Sequence, residues 1–333
     1  MNIYVLNATI NGKLMTELLV ERLKICGIIG LDINGGNKTS EYYDYTEYCN
    51  EVGVPYYQME TYALSNERDK NLLESLDIDL IIVASWQRLV PDWLINHCSI
   101  GIIGTHGSHE GIIRGRGRSP QNWALMYGKN KFIFSIFWIE PGIDDGRIID
   151  TEEFDYSEID TILSSYVKLN ILKAELIIKN IENGKIQNRS GDIQNGEALY
   201  LPQRTAEDGM IDWNRKCVDI YNMTRALTKP YPGAYTIYDG HRVIVWSAVP
   251  INLREDWICS GVANGSVISV LKDGFIVKCA DGVLLVDLHE GYNVRKGIVF
   301  ESANYHEQML KIVERHKQKY GTPLSDLILK EID

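Results

Sequence analysis

Short apolar runs alternating with stretches of helical period fill the first half of the chain, and nothing else in the sequence constrains the fold as strongly. Residues 3–6, 25–30, 54–57, 79–84 and 101–105 read as strands, and residues 13–23, 44–52 and 67–76 as helices. Leu80, Ile81, Ile82 and Val83 follow one another without a polar break, the pattern of a strand buried on both faces. Strand–helix alternation of this kind predicts an α/β fold, a doubly wound, Rossmann-like and mostly parallel sheet with helices on both faces. Ligands of such sheets bind beyond the carboxyl ends of the strands. Ser85, Trp86, Gln87, Arg88, Leu89 and Val90 are therefore expected on one rim with Thr105, His106, Gly107, Ser108 and His109.

The texture changes in the second half. Residues 157–183 carry a long amphipathic pattern that closes the first domain as a helix. Residues 184–203 are polar and hold Gly191, Gly196 and Pro202, the composition of a connector. A helix at 218–227 stops at Lys229-Pro230-Tyr231-Pro232-Gly233. Short alternating runs follow at 234–238, 243–249, 265–271, 275–279 and 283–288, the first two joined by the hairpin signal Asp239-Gly240. They predict a small antiparallel, OB-like β-barrel, followed by a last helix at 303–317. With 333 residues, too many for a typical single core, the expected division is a catalytic domain at 1–200 and a second domain at 201–333.

Composition narrows the class. The formal charge of -11 argues against a nucleic-acid surface spread over the molecule. Cys26, Cys49, Cys98, Cys217, Cys259 and Cys279 form no CxxC pair, as in a reduced cytoplasmic protein. No apolar stretch reaches the roughly 20 residues of a membrane helix. Met1 leads directly into a strand-like run, so no signal peptide is expected. His97, His109, His241, His289, His306 and His316 lack metal-ligand spacing, and no metal site is expected. No GxGxxG follows the first strand, and Gly35-Gly36-Asn37 reads as a flexible turn rather than a phosphate cradle.

The residues able to carry chemistry lie within 100–149. Taken alone, His106 after an apolar strand is more often structural than catalytic, and Asp144-Asp145-Gly146 is a common turn sequence. Arg114, Arg116 and Arg118 alternate with glycine, which suits either a solvated loop or a fork for phosphate or carboxylate. Placed together on a ligand rim, an imidazole and a carboxylate can manage protons.

Three segments then resemble the folate-dependent formyltransferases, the family that includes methionyl-tRNA formyltransferase and the sugar N-formyltransferases. They are His106-Gly107-Ser108, the run 116–124 (RGRSPQNWA) and Gly142-Ile143-Asp144-Asp145-Gly146. Residues 204–213 (RTAEDGMIDW) and Tyr231-Pro232-Gly233-Ala234-Tyr235 are similar to the family's linker and barrel entry. The likeness is strongest to the nucleotide-sugar N-formyltransferases, such as the formyltransferase half of the bifunctional polymyxin-resistance enzyme. It implies His106 and Asp144 as catalytic residues and N10-formyltetrahydrofolate as formyl donor. Ser85, Trp86, Gln87, Arg88, Leu89, Val90 and Asp145 would bind the folate. Gly107, Ser108, Arg114, Arg116, Arg118 and Asn122 would face a nucleotide-linked amino-sugar.

Two departures stand out. The family usually has Asn two residues before the histidine, donating to the oxyanion, where this chain has Gly104. A backbone amide, Thr105, Asn122 or a water would have to replace it. The loop after His106 is about two residues longer and reads His109-Glu110-Gly111-Ile112-Ile113 where the family has Leu-Leu-Pro. The acidic balance favours an amino-sugar acceptor over tRNA, whose affinity relies on Lys/Arg contacts with phosphate. In the barrel, Arg242, Arg254, Lys272 and Lys278 are offset by Asp239, Glu255, Asp256, Asp273, Asp281 and Asp287. Methionyl-tRNA formyltransferase, hydrolysis of formyltetrahydrofolate and a silent folate- or nucleotide-sugar-binding protein are the alternatives. Exposed hairpin edges allow a homodimer.

Overall fold

A computed structural model describes residues 1–39, 41–251 and 261–332; Arg254, Glu255, Asp256 and Cys259 lie outside the described residues. By contacts the chain divides into two units. The first comprises Met1–Arg116, Ile133–Phe154 and Tyr166–Glu197, the second Gly117–Phe132, Asp155–Ser165 and Ala198–Asp333.

The chain begins β1 (Ile3–Asn7), α1 (Lys13–Arg22), β2 (Ile25–Leu31), α2 (Ile33–Gly36), α3 (Thr46–Val52) and β3 (Tyr56–Met59). It continues α4 (Glu67–Glu74), β4 (Leu80–Ser85), α5 (Asp92–His97), β5 (Gly101–Ser108) and the two-residue β6 (Arg116–Gly117). Then come α6 (Pro120–Met126), β7 (Lys131–Trp138), β8 (Ile148–Asp155) and α7 (Ile162–Glu182). Seven strands form one sheet in the order β3-β2-β1-β4-β5-β7-β8. The pairs from β3 to β5 are parallel, and β7 runs antiparallel to β5.

Apolar runs at the centre of this sheet end up buried on both faces. Leu6, Ile29, Leu31, Ile81 and Ile102 are fully enclosed in one core cluster with Met59, Leu73 and Leu94. Two details depart from the sequence reading. β5 continues through Ser108, because β7 supplies an antiparallel partner for residues 103–108. Residues 33–36 form a helical turn capped by Asp32, whose carboxylate accepts from the Gly35 amide at 2.7 Å. Gly36 is packed so tightly that a Cβ would lie 2.5 Å from the Tyr42 ring, so this is a filled corner rather than a flexible turn.

The second unit holds β9 (Tyr200–Leu201), α8 (Cys217–Leu227), β10 (Ala234–Tyr238), β11 (His241–Ile251), β12 (Val267–Val270), β13 (Phe275–Lys278), β14 (Val283–Gly291), α9 (Tyr305–Lys319) and α10 (Asp326–Leu329). Five strands make an antiparallel sheet in the order β10-β11-β14-β13-β12. Its hairpin turns at Asp239 and Gly240, both at positive φ (50° and 74°), as a two-residue primed turn requires. Residues 299 and 301 bridge to Ser266 beside one edge strand and to Ile237 on the other, drawing the sheet into a small barrel.

Arg225 on α8 pins residues 155–165 within this unit. Its Nη1 donates to the carbonyl oxygens of Ser157, Glu158 and Asp160 (3.2, 3.4 and 3.0 Å), and its Nε to Asn222 Oδ1 at 2.8 Å. Replacing Arg225 by Met keeps the bulk and strands these acceptors. The expected cost is about 2–3 kcal/mol, read as a lower denaturant midpoint at unchanged slope.

Candidate active site

The site is built where β4, β5 and β7 end. Residues 83–92, Gly104, Thr105, Phe137, residues 139–142, Asp144, Asp145 and Lys173 line one cavity of about 540 Å³ in the first unit. That volume suits a drug-sized ligand, by the usual range of roughly 300–1,000 Å³. The structure thus gathers Ser85, Trp86, Gln87, Arg88, Leu89, Val90, Asp144 and Asp145 around one space.

The loop after β4 is braced by a residue that sequence reasoning passed over. The Gln87 amide donates to the Tyr62 hydroxyl at 2.9 Å, the Tyr62 ring stands edge-on to Trp86 at 4.8 Å, and Arg88 lies 5.1 Å from the same ring. Ser85 shares a 2.7 Å hydrogen bond with Thr9 Oγ1, and its carbonyl accepts from the Ala8 amide. Trp86 is 9% exposed, and its buried indole N–H has no partner among the described residues. A buried donor in a cavity wall needs a bound group or a water.

His106 lies within β5 rather than beyond it. Its Nε2 is 2.8 Å from the Gly115 carbonyl, and because a carbonyl only accepts, Nε2 carries the hydrogen. That contact fixes ring and tautomer. Nδ1 is turned to Asp144, with Oδ2 at 3.8 Å, close enough for an ion pair and too far for a direct hydrogen bond.

Asp144 owes its place to a strained turn. Its φ is +52°, in the left-handed region that costs a non-glycine residue roughly 1–2 kcal/mol. Gly146 is needed beside it, since a Cβ there would fall 1.7 Å from the Trp138 carbonyl. Gln194 clamps the turn: its Nε2 donates to the carbonyls of Asp144 (2.9 Å) and Gly146 (2.8 Å), and its Oε1 accepts from Arg116 Nη2 at 2.8 Å.

Several residues expected to face substrate are placed otherwise. Arg116 is only 9% exposed and spends a nitrogen on Gln194, so it supports the Asp144 turn instead of offering a free fork. Ser108 is fully buried; its hydroxyl donates to the Gly111 carbonyl and accepts from the Glu110 amide, shaping the loop from inside. Gly107 is buried against β7, where a Cβ would meet the Ile133 carbonyl at 2.2 Å. Arg114 stays 41% exposed and pairs with Glu110 at 3.7 Å. Arg118 and Asn122 belong to the second unit, where Asn122 is 1% exposed and donates to the Ala226 carbonyl at 2.7 Å. Trp123 beside it is fully buried and donates to the Pro202 carbonyl, so the run 116–124 is largely structural.

Gly104 has a physical reason to be glycine. A Cβ there would lie 2.4 Å from Ile139 Cδ1 and 3.1 Å from Phe137 Cζ. The space that an asparagine side chain would enter is taken by Ile139. Among the described residues no His/Cys/Asp/Glu group could hold a metal ion, and no helix is long and apolar enough to cross a membrane.

Residues 33–181 match the family "Formyl transferase", and residues 204–293 match "Formyl transferase, C-terminal domain". A methionyl-tRNA formyltransferase of Bacillus pumilus (strain SAFR-032) is 30% identical over 228 residues, 68% of each chain. The N-formyltransferase from Helicobacter canadensis, solved with folinic acid and dTDP-3-aminofucose, superposes with a TM-score of 0.59 at 13% identity, over 88% of this chain and all (100%) of that one. HypX from Aquifex aeolicus gives 0.61 at 16% identity over 97% of this chain; the present chain spans about half of it (48%). At such identities these two structures speak for the fold alone.

Two variants test the site's architecture. Gln194→Ala is expected to cost about 1–3 kcal/mol, by stranding two carbonyls and an Arg116 nitrogen, and to show as a lower melting temperature. Gly104→Asn is expected to cost about 1–3 kcal/mol by overpacking, with Gly104→Asn/Ile139→Ala recovering part of it in the same measurement. The two matched domains, the relative that shares two thirds of its length and the seven-stranded sheet with its small barrel agree: the chain belongs to the formyltransferase family.

Proposed function

We propose that the protein transfers a formyl group from N10-formyltetrahydrofolate to the amine of a nucleotide-linked amino-sugar. The observation that carries the reading is the His106–Asp144 pair set against a cavity whose wall is the 85–91 loop. The orphan Trp86 N–H in that wall fits a ligand with ring nitrogens and carbonyls, such as a pterin.

N10-formyltetrahydrofolate supplies an activated formyl carbon, and its N10 leaves with the electron pair of the broken C–N bond. The acceptor amine gives its lone pair to the same carbon and must lose one proton. In this reading Asp144 receives that proton and returns it toward the leaving nitrogen, directly or through water, supported by its position facing His106 at the cavity. His106 has its Nε2–H committed to Gly115, so any donation to the formyl oxygen comes from Nδ1 while that nitrogen holds a proton. Asp144 lies on that side, and the two groups act as one proton-handling pair.

The overall charge of -11 supports a small acceptor. The Helicobacter canadensis N-formyltransferase, solved with dTDP-3-aminofucose, shares this chain's fold, and an amino-sugar acceptor is compatible with that likeness. Transfer to methionyl-tRNA is the second reading, favoured by the 28–30% identity to several methionyl-tRNA formyltransferases.

A panel of UDP- and dTDP-linked amino-sugars and charged initiator tRNA, each offered with N10-formyltetrahydrofolate, separates the two. The expected result is a formylated sugar amine and no formyl-methionyl-tRNA, with His106→Ala slower by on the order of 100-fold or more. Formylation of the tRNA alone would establish the second reading. Folate turnover independent of added amine would show hydrolysis instead.

A further inference from the structure

Lys173 on α7 lines the same cavity as Gly104, Thr105 and Asp144, and no motif of the sequence points to it. Among the described residues no hydrogen bond or ion pair engages its ammonium, and burial alone pushes the amine down to about 8. Four carboxylates line the cavity, Asp92, Glu140, Asp144 and Asp145, and among the described residues none forms an ion pair with Lys173; Glu140 pairs with Arg147 at 3.2 Å and Asp144 faces His106 at 3.8 Å. Lys173 is half-buried in the cavity wall, and an ammonium without a protein partner beside a cavity is one that a ligand can complete.

Strand register says which way the β5 residues beside this cavity face. Gly104 pairs with Phe137 and His106 with Ser135 across β5 and β7. Residues two apart on a strand share a face, so Gly104 and His106 look the same way and Thr105 the opposite way. Gly104 also lines the cavity that receives Lys173, while the space an amide side chain would use there belongs to Ile139.

We infer that Lys173 takes over the missing side-chain donor at position 104, its ammonium meeting the formyl oxygen as charge gathers there. The inference rests on the formyl-transfer reading above. As the amine attacks, the C=O π pair moves onto oxygen beside the ammonium; the pair returns when the C–N10 bond breaks. Lys173 keeps its proton throughout, so the balance of the transfer is unchanged. A preorganised donor at such a position is worth on the order of 100- to 1,000-fold in rate.

Lys173→Met, Lys173→Arg and Thr105→Val, with thermal melts to establish folding, test this beside a chemical readout that needs no turnover. In that readout lysines are labelled with limiting acetic anhydride and read by mass spectrometry, with and without 5-formyltetrahydrofolate as the probe. The expected outcome is rapid labelling of Lys173, protection by the probe, and a roughly 100-fold lower kcat for Lys173→Met with probe affinity within about threefold of the parent. Lys173→Arg should retain part of the rate, and Lys173→Met should melt no lower than the parent. Equal labelling with and without bound probe, or an undiminished kcat in Lys173→Met, overturns the assignment, as does a loss confined to Thr105→Val. If the parent formylates no amine while the probe still protects Lys173, the formyl-transfer reading fails and the placement of Lys173 in the binding cavity stands.

Discussion

The site depends on holding one carboxylate in a backbone conformation it would not choose. Asp144 sits at φ +52° in a turn that leaves its own carbonyl and that of Gly146 facing inward. A single amide, Gln194, satisfies both, and Arg116 fixes the amide's orientation through its oxygen. Without that clamp both carbonyls would lose their donor. Strain of this kind survives only where the surroundings over-determine it, and here the surroundings come from two sequence-distant segments. The carbonyl of Gly115 does the equivalent for His106, so each member of the pair is held by groups outside it.

Legibility in the sequence followed burial. The parallel strands could be read because burial on both faces forces unbroken apolar runs such as Leu80 to Val83. The Asp239–Gly240 hairpin could be read because two positive-φ positions demand those residue types. The 85–90 rim could be placed because strand order fixes where ligands bind in a doubly wound sheet. β8 escaped, since Ile148–Asp155 is a half-exposed strand at the sheet's edge and alternates weakly. The full length of β5 escaped because Gly107 and Ser108 look like loop residues until an antiparallel neighbour pairs with them.

The hidden parts of the site are tertiary. Gln194 lies 50 residues from Asp144 in a stretch whose composition says only connector. Tyr62 and Lys173 have no local signature, because what matters is the cavity they meet in. Arg116 and Asn122 were visible as residue types, yet their burial was not: both satisfy internal partners, Gln194 and the Ala226 carbonyl. Gly104 marks the converse. The sequence exposes its oddity, and only packing explains it, with Ile139 filling the vacated volume and a cation lining the same cavity. Together these support the proposed formyl-transfer centre built around His106 and Asp144, with Lys173 inferred as its oxyanion partner.

The central claim is that Asp144 moves the proton between acceptor amine and leaving nitrogen, and single-turnover transfer of a ¹³C-formyl group by Asp144→Asn tests it most directly. The account predicts a rate lower than the parent's by on the order of 100-fold or more, at unchanged melting temperature and unchanged affinity for 5-formyltetrahydrofolate. Transfer at the parent rate by a well-folded Asp144→Asn protein would contradict it.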